Sequence, residues 1–183
     1  MNAVLYGVDT RAEKEIKELN QEVGKEKILQ NCGNALTSQS VGPKILWLKK
    51  NCPEIYKKAG KILSSTSYLV QKLTGESVID HYTAANFTPL YDIKNLKWTD
   101  ALTKNIIEIE RLPKLMWTTE IAGYVSKAAS KETGLAIETP VTVGTIDAAA
   151  EAISVGVCSA GDMMMMYGST IFIIQVTNEK IID

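Results

Sequence analysis

The stretch VTVGTIDAAAEAISVG, residues 141–156, decides the architecture of this chain. Val141 to Thr145 alternates as a short apolar strand, a tight turn follows with one carboxylate, and a helix of very small residues begins near Ala148. Strand, turn and helix in that order form a unit of an α/β fold. Asp147 stands at the corner, where two roles are open. It can accept the unpaired N–H groups of the first helical turn, favoured there by the helix dipole. Alternatively, a carboxylate at the carboxyl end of a strand faces the crevice where α/β proteins bind ligands, and can serve as a general base. The run AAAEA, residues 148–152, suits tight packing or a close ligand equally well.

A second motif follows. Tyr167-Gly168-Ser169-Thr170 lies between two apolar segments, MMMM and IFIIQV. A Gly-Ser-Thr turn presents backbone N–H groups and two hydroxyls, a cradle for phosphate. The same residues also make an ordinary hairpin turn. The flanking strands have no polar face, which predicts cover on both sides. A candidate base and a candidate phosphate turn on successive elements match the parts needed for phosphoryl transfer.

Composition narrows the classes. The chain has 183 residues, 45% of them hydrophobic, and a net charge of −1. That length suits one domain, or one domain and part of another. Lys and Glu are interspersed, so no basic footprint for nucleic acid exists. Three cysteines without a CxxC pair, beside a single His, argue against a disulfide framework or a zinc site. No apolar run is long enough for a membrane span. These features predict a soluble, cytoplasmic chain with reduced thiols. It opens on MNAVLYGVD as if already inside a strand, which suggests a piece of something longer.

Along the chain, helices are expected over Thr10–Val23, in KEKILQNCG up to Gly33, from Pro43, and from Pro53 to Gly60. A short strand is expected at Ile62–Ser64, then a helix capped by Ser65 or Thr66 and ended by Gly75. SVIDHYTAANFTPLYDI reads as two extended pieces joined by a loop, and KWTDALTKNIIEI as a helix capped by Thr99. RLPKLMW reads as a connector, and GYVSKAASKETGLA as a helix ending at Gly134. His81 is expected to be a surface or hydrogen-bonded residue. Trp47, Trp98 and Trp117 read as packing anchors, the four methionines as core filler, and the lysines as solvated.

With these pieces in place the chain resembles the FGGY family of carbohydrate kinases. PVTVGTIDAAAEAISVGVCSAGDMMMMYGSTIFII is similar to the family segment that joins its two domains. LYGVDTRAEKE resembles its W-x-D-x-R strand–helix, and GPKILWLKKNCPEIYKKAG, YLVQKLTGESVIDHYTAAN and PLYDIKNLKWTDAL match in order and spacing. Xylulokinase- or gluconokinase-like members look most similar.

The resemblance implies a ribonuclease H-like, actin-type ATPase fold and ATP- and Mg²⁺-dependent phosphorylation of a sugar or polyol of the xylulose, gluconate or glycerol type. The catalytic base maps onto Asp147, with Ala148 beside it in the substrate site. The phosphate-contacting turn maps onto Gly168, Ser169 and Thr170. In the loop from Asp80 to Ala84, Tyr82 is the substrate-contact candidate, one step from His81. Residues 1–157 would be the later part of the first kinase domain and 158–183 the opening strands of the second. A homodimer is compatible with the family.

Departures from the pattern also carry expectations. The 183 residues contain no D-x-G-T/S strand, GTID lacks the second Gly of the family turn, Ala148 replaces a polar contact, and YGST changes the usual order. The isolated chain is therefore expected to be inactive. The alternatives are a non-catalytic sugar- or partner-binding descendant, and a structural or dimerisation domain in which Asp147 only caps its helix.

Overall fold

The computed structural model describes residues 9–168, 171–179 and 181. Four helices come first: α1 (Glu13–Val23), α2 (Lys25–Cys32), α3 (Val41–Asn51) and α4 (Pro53–Lys58). Leu19 and Ile28 of the first two meet Ile45 and Leu46 of α3 and Tyr56 of α4 in the main core. α3 is buried nearly all round, Lys44 included, so not every lysine is solvated. Its Gly42 is required by contact: a Cβ there would stand 2.4 Å from the Thr88 carbonyl oxygen. Although Ala is the better helix former, Gly42→Ala is therefore expected to destabilise the fold by about 1–3 kcal/mol. A urea denaturation midpoint checks this.

The chain then enters α5 (Ser65–Thr74), β1 (Val78–Asp80), α6 (His81–Ala84), β2 (Tyr91–Asp92) and β3 (Lys97–Trp98). Next come a 3-10 turn at Ile109–Arg111, β4 (Lys114–Met116), β5 (Ile121–Tyr124), α7 (Lys127–Thr133), β6 (Pro140–Thr142), α8 (Asp147–Ser154), β7 (Met163–Tyr167) and β8 (Ile171–Gln175). β1 and β4 are parallel, and Asp80 lies opposite Met116. All three residues of β1 are buried. Ile79 joins the main core and Val78 a second cluster with Val70 of α5 and Val143. A parallel strand covered on both faces is the α/β arrangement. The pairs β2–β3, β5–β6 and β7–β8 are antiparallel.

Several local expectations are corrected. Residues 62–64 form no strand; one bond, from Ile62 N–H to the Arg111 carbonyl, replaces a ladder. Ser64, neither Ser65 nor Thr66, caps α5, because only Ser64 has the extended backbone from which its oxygen receives Ser67 N–H. α4 ends at Lys58, and Ala59 rather than Gly60 is its C-terminal cap. The middle of SVIDHYTAANFTPLYDI contains the helical turn α6.

Residues 99–107 do not form the expected helix, because other elements satisfy their carbonyls. Lys49 Nζ donates to Asn105 O at 2.9 Å and Tyr56 OH to Ile106 O at 3.2 Å, while Ile106 and Ile107 both enter the core. Thr99 caps only a turn, receiving Ala101 N–H. The supposed connector RLPKLMW contains β4, whose ladder partner is β1. β6 stops at Thr142, short of Thr145.

The β7–β8 hairpin forms as expected. Cover on both faces does not hold in this chain: Met164, Phe172 and Ile174 pack on Ala152 and Val157, whereas Met163, Met165, Ile171 and Ile173 are exposed. The opening MNAVLYGV lies outside the described residues.

Cys32, Cys52 and Cys158 are free thiols. Burial pushes the Cys32 thiol up to about 12, and Cys158 is exposed. At pH 8 Cys158 is expected to react with a disulfide reagent well before Cys32, which should remain protected until unfolding. Mass spectrometry of timed labelling checks the order.

Candidate active site

Three chain segments converge at the carboxyl ends of β1 and β4, and Asp80 joins two of them. Its side chain is 2% exposed. Oδ2 receives the N–H groups of Tyr82 and Thr83 at 3.1 and 3.2 Å, which starts α6. The same oxygen receives the Thr145 hydroxyl at 2.7 Å. A buried carboxylate is tolerated when donors surround it, and here they also fix the turn that carries Asp147.

That turn is held from its other side by α5. Thr66 donates to the Thr145 carbonyl at 3.4 Å. Gly144 has φ +73, and a Cβ there would come within 2.9 Å of Thr66 Cγ2. Left-handed backbone and close approach both select Gly at this point. Gly144 N–H in turn bonds the Thr118 carbonyl just beyond β4.

Asp147 is the first residue of α8 and is exposed. Ile146 holds the cap position, with no side-chain cap bond. The capping role expected for Asp147 is thus corrected: among the described residues its Oδ1 receives only the adjacent Ala148 N–H, at 2.8 Å. Its charge still lies at the positive end of the helix. Ala148 is half-buried beside it. Ala152, one turn on, packs against Val157 and Met164, so part of the small-residue run serves packing.

Tyr82 is 53% exposed and shares Asp80 with the Asp147 turn. Gly168 follows β7 on the separate hairpin; Ser169 and Thr170 lie outside the described residues. Next to Tyr82, His81 Nδ1 is 2.7 Å from the Tyr91 hydroxyl, and its ring lies 4.4 Å from that of Trp117. Trp117 is 48% exposed, so it is not the packing anchor its composition suggests. Trp98 is one: its Nε1 donates to Pro113 O at 2.7 Å.

Sequence reasoning missed Asp80 and Thr145 as partners. The Asp80 signal was present, an Asp before a helical turn, but its link to Thr145 spans 65 positions.

Among the described residues no group of three His, Cys, Asp or Glu side chains could hold a metal ion. No helix of the described residues is long and apolar enough to cross a membrane.

Residues 1–154 match the N-terminal domain of the FGGY family of carbohydrate kinases. This chain belongs to that family. An autoinducer-2 kinase of Yersinia pestis bv. Antiqua (strain Angola) is 30% identical over 181 residues, covering 96% of this FGGY chain and 34% of that protein. A xylulose kinase of Lactococcus lactis subsp. lactis (strain IL1403) is 32% identical over 156 residues, covering 84% and 30%.

Among solved structures, xylulose kinase from Rhodospirillum rubrum superimposes with a TM-score of 0.89 at 28% identity, over 95% of this chain and 36% of that one. Plasmodium falciparum glycerol kinase with ADP gives 0.82 at 26%, over 94% and 35%. The fold is thus that of the actin-like ATPase domain in FGGY sugar kinases. The chain spans about a third of the length of these relatives.

Proposed function

We propose that the protein containing this chain transfers the γ-phosphoryl group of ATP to a hydroxyl of a sugar or polyol, with Asp147 as proton acceptor. One observation carries this reading. Asp147 stands exposed at the start of α8, on a turn clamped by Asp80 through Thr145, with Ala148 N–H its only partner among the described residues. A carboxylate so held remains able to receive a proton from a bound hydroxyl. As the acceptor oxygen bonds to phosphorus and ADP leaves, Asp147 takes the hydroxyl proton. ATP supplies the phosphoryl group, and Mg²⁺ neutralises its charge when bound.

By the family resemblance, Gly168, Ser169 and Thr170 would contact the phosphates, and Tyr82 would border the acceptor. We also propose that residues 1–157 belong to the first kinase domain and 158–183 open the second. In support, the family match ends at residue 154.

The test measures ADP release from ATP over pentuloses, polyols and gluconate. The complete gene product, its Asp147→Asn variant and the isolated 183-residue chain are compared. Turnover by the complete product alone supports the reading; turnover unchanged in Asp147→Asn rejects Asp147 as the base. Ala148, with no polar group beside Asp147, supports a second reading, a sugar-binding descendant without turnover. Sugar binding with no ADP release on any substrate would favour it.

A further inference from the structure

Beyond the expected base and phosphate turn, the open end of β1 and β4 carries an aromatic pair that needs a role. Asp80 faces Met116 in the parallel ladder, so the next residues, His81 and Trp117, emerge side by side. Their rings lie 4.4 Å apart at 49°. The position of His81 is set from behind. Tyr91 is 2% exposed, burial pushes its phenol up to about 12, and among the described residues its hydroxyl has no hydrogen-bond partner but His81 Nδ1. With the buried phenol donating to Nδ1, the imidazole carries its own proton on Nε2. In that tautomer His81 presents a donor at the open end of the sheet.

Trp117 gains no such anchor for its ring beyond this stack. It leaves 48% of its surface in water, a poor use of a large apolar side chain unless something covers it. Two nearby hydroxyls are also unsatisfied: Thr83 Oγ1, two residues after His81, and Thr118 Oγ1, directly after Trp117, are buried without a partner. Native structures seldom leave such groups unpaired, and ligand hydroxyls or water would pair them. The same corner is tied to the Asp147 turn through Asp80, and Gly144 N–H is bonded to the Thr118 carbonyl.

We propose that Trp117 and His81 form an aromatic corner holding the acceptor, with the indole against its C–H face and His81 Nε2–H donating to one of its hydroxyls. Trp117 is then a specificity-determining residue. The assignment rests on the carbohydrate-kinase reading, which names the ligand class. Stacking and a hydroxyl donor together suit a molecule that alternates C–H and O–H groups; a purely anionic ligand would leave the indole face unused.

The test uses the complete gene product, with Trp117→Leu, Trp117→Tyr and Asp147→Asn variants. Xylitol, D-xylulose, gluconate and glycerol serve as probes. Binding is followed by saturation-transfer NMR, which needs no turnover, and initial rates are measured with ATP. Trp117→Leu is expected to raise Kd and KM at least about tenfold with kcat little changed, while Trp117→Tyr stays within about threefold. In the unmutated protein, ligand C–H signals are expected to shift upfield from the indole ring current, a readout independent of any folding defect.

Unchanged Kd in a folded Trp117→Leu variant, absent ring-current shifts, or no binding of any probe would each overturn the corner. The two proposals fail separately. Turnover that depends on Asp147 but ignores Trp117 rejects only the corner. Trp117-dependent binding with no turnover on any probe rejects only the kinase reading.

Discussion

Asp147→Asn is expected to lower phosphorylation turnover by about 10²- to 10⁴-fold while leaving the fold intact. The two effects separate because of what the side chain touches. Among the described residues its only partner is the neighbouring Ala148 N–H, and an Asn oxygen can accept the same bond. The carboxylate is exposed, so replacing it removes neither buried contact nor packing. Loss of the charge at the start of α8 costs about 0.3–1 kcal/mol. What disappears is the carboxylate proposed to accept the substrate hydroxyl's proton. A circular-dichroism melt alongside the rate assay reads both quantities. A variant that melts normally and turns over normally would remove Asp147 from the chemistry. One that unfolds would show a structural role that its single short-range bond does not explain.

The second large effect is expected at Asp80, with the opposite signature. Asp80→Ala strands three donors, the N–H groups of Tyr82 and Thr83 and the Thr145 hydroxyl, at a site nearly closed to water. Hydrogen bonds to a buried carboxylate contribute more than neutral ones, and losing the acceptor leaves roughly 3 kcal/mol of unpaired donors. For a domain of this size that corresponds to a fall in melting temperature of roughly 6–12 °C.

Activity falls as well, because the Thr145 turn that positions Asp147 is released. A double-mutant cycle with Thr145→Val isolates the shared term, since the two side chains are in direct contact. Additive losses would show that the 2.7 Å bond carries no coupling. A melting temperature within about 2 °C of the unmutated chain would show that Asp80 is dispensable.

These two carboxylates also mark where sequence reasoning reached and where it stopped. Asp147 was legible because its setting is local. A strand, a glycine turn and a small-residue helix lie within 16 consecutive positions, and each element follows from propensity and pattern alone. The capping half of that reading failed for an equally local reason. The helix begins one residue earlier than its letters suggest, so Ile146 takes the cap and Asp147 enters the first turn. Asp80 was read as part of a loop, because nothing in VIDHYTAAN indicates that Thr145 will donate to it.

The same division holds elsewhere. The sequence by itself determined α1, α2, α3, α5 and the β7–β8 hairpin, since Gly24, Gly33, Gly75 and the apolar periodicities act within a few residues. Its collinear motifs also determined the family, now matched over residues 1–154. Tertiary structure alone decided β4, which is a strand only because β1 offers its ladder. It decided the irregular path of 99–107, where Lys49 and Tyr56 take the carbonyls that a helix would have used. It also set Trp117 against His81 at the open end of the sheet. The physical reason is range: caps, turns and periodicity act between neighbours, whereas ladders, buried hydrogen bonds and ring contacts need partners that only the folded chain brings together.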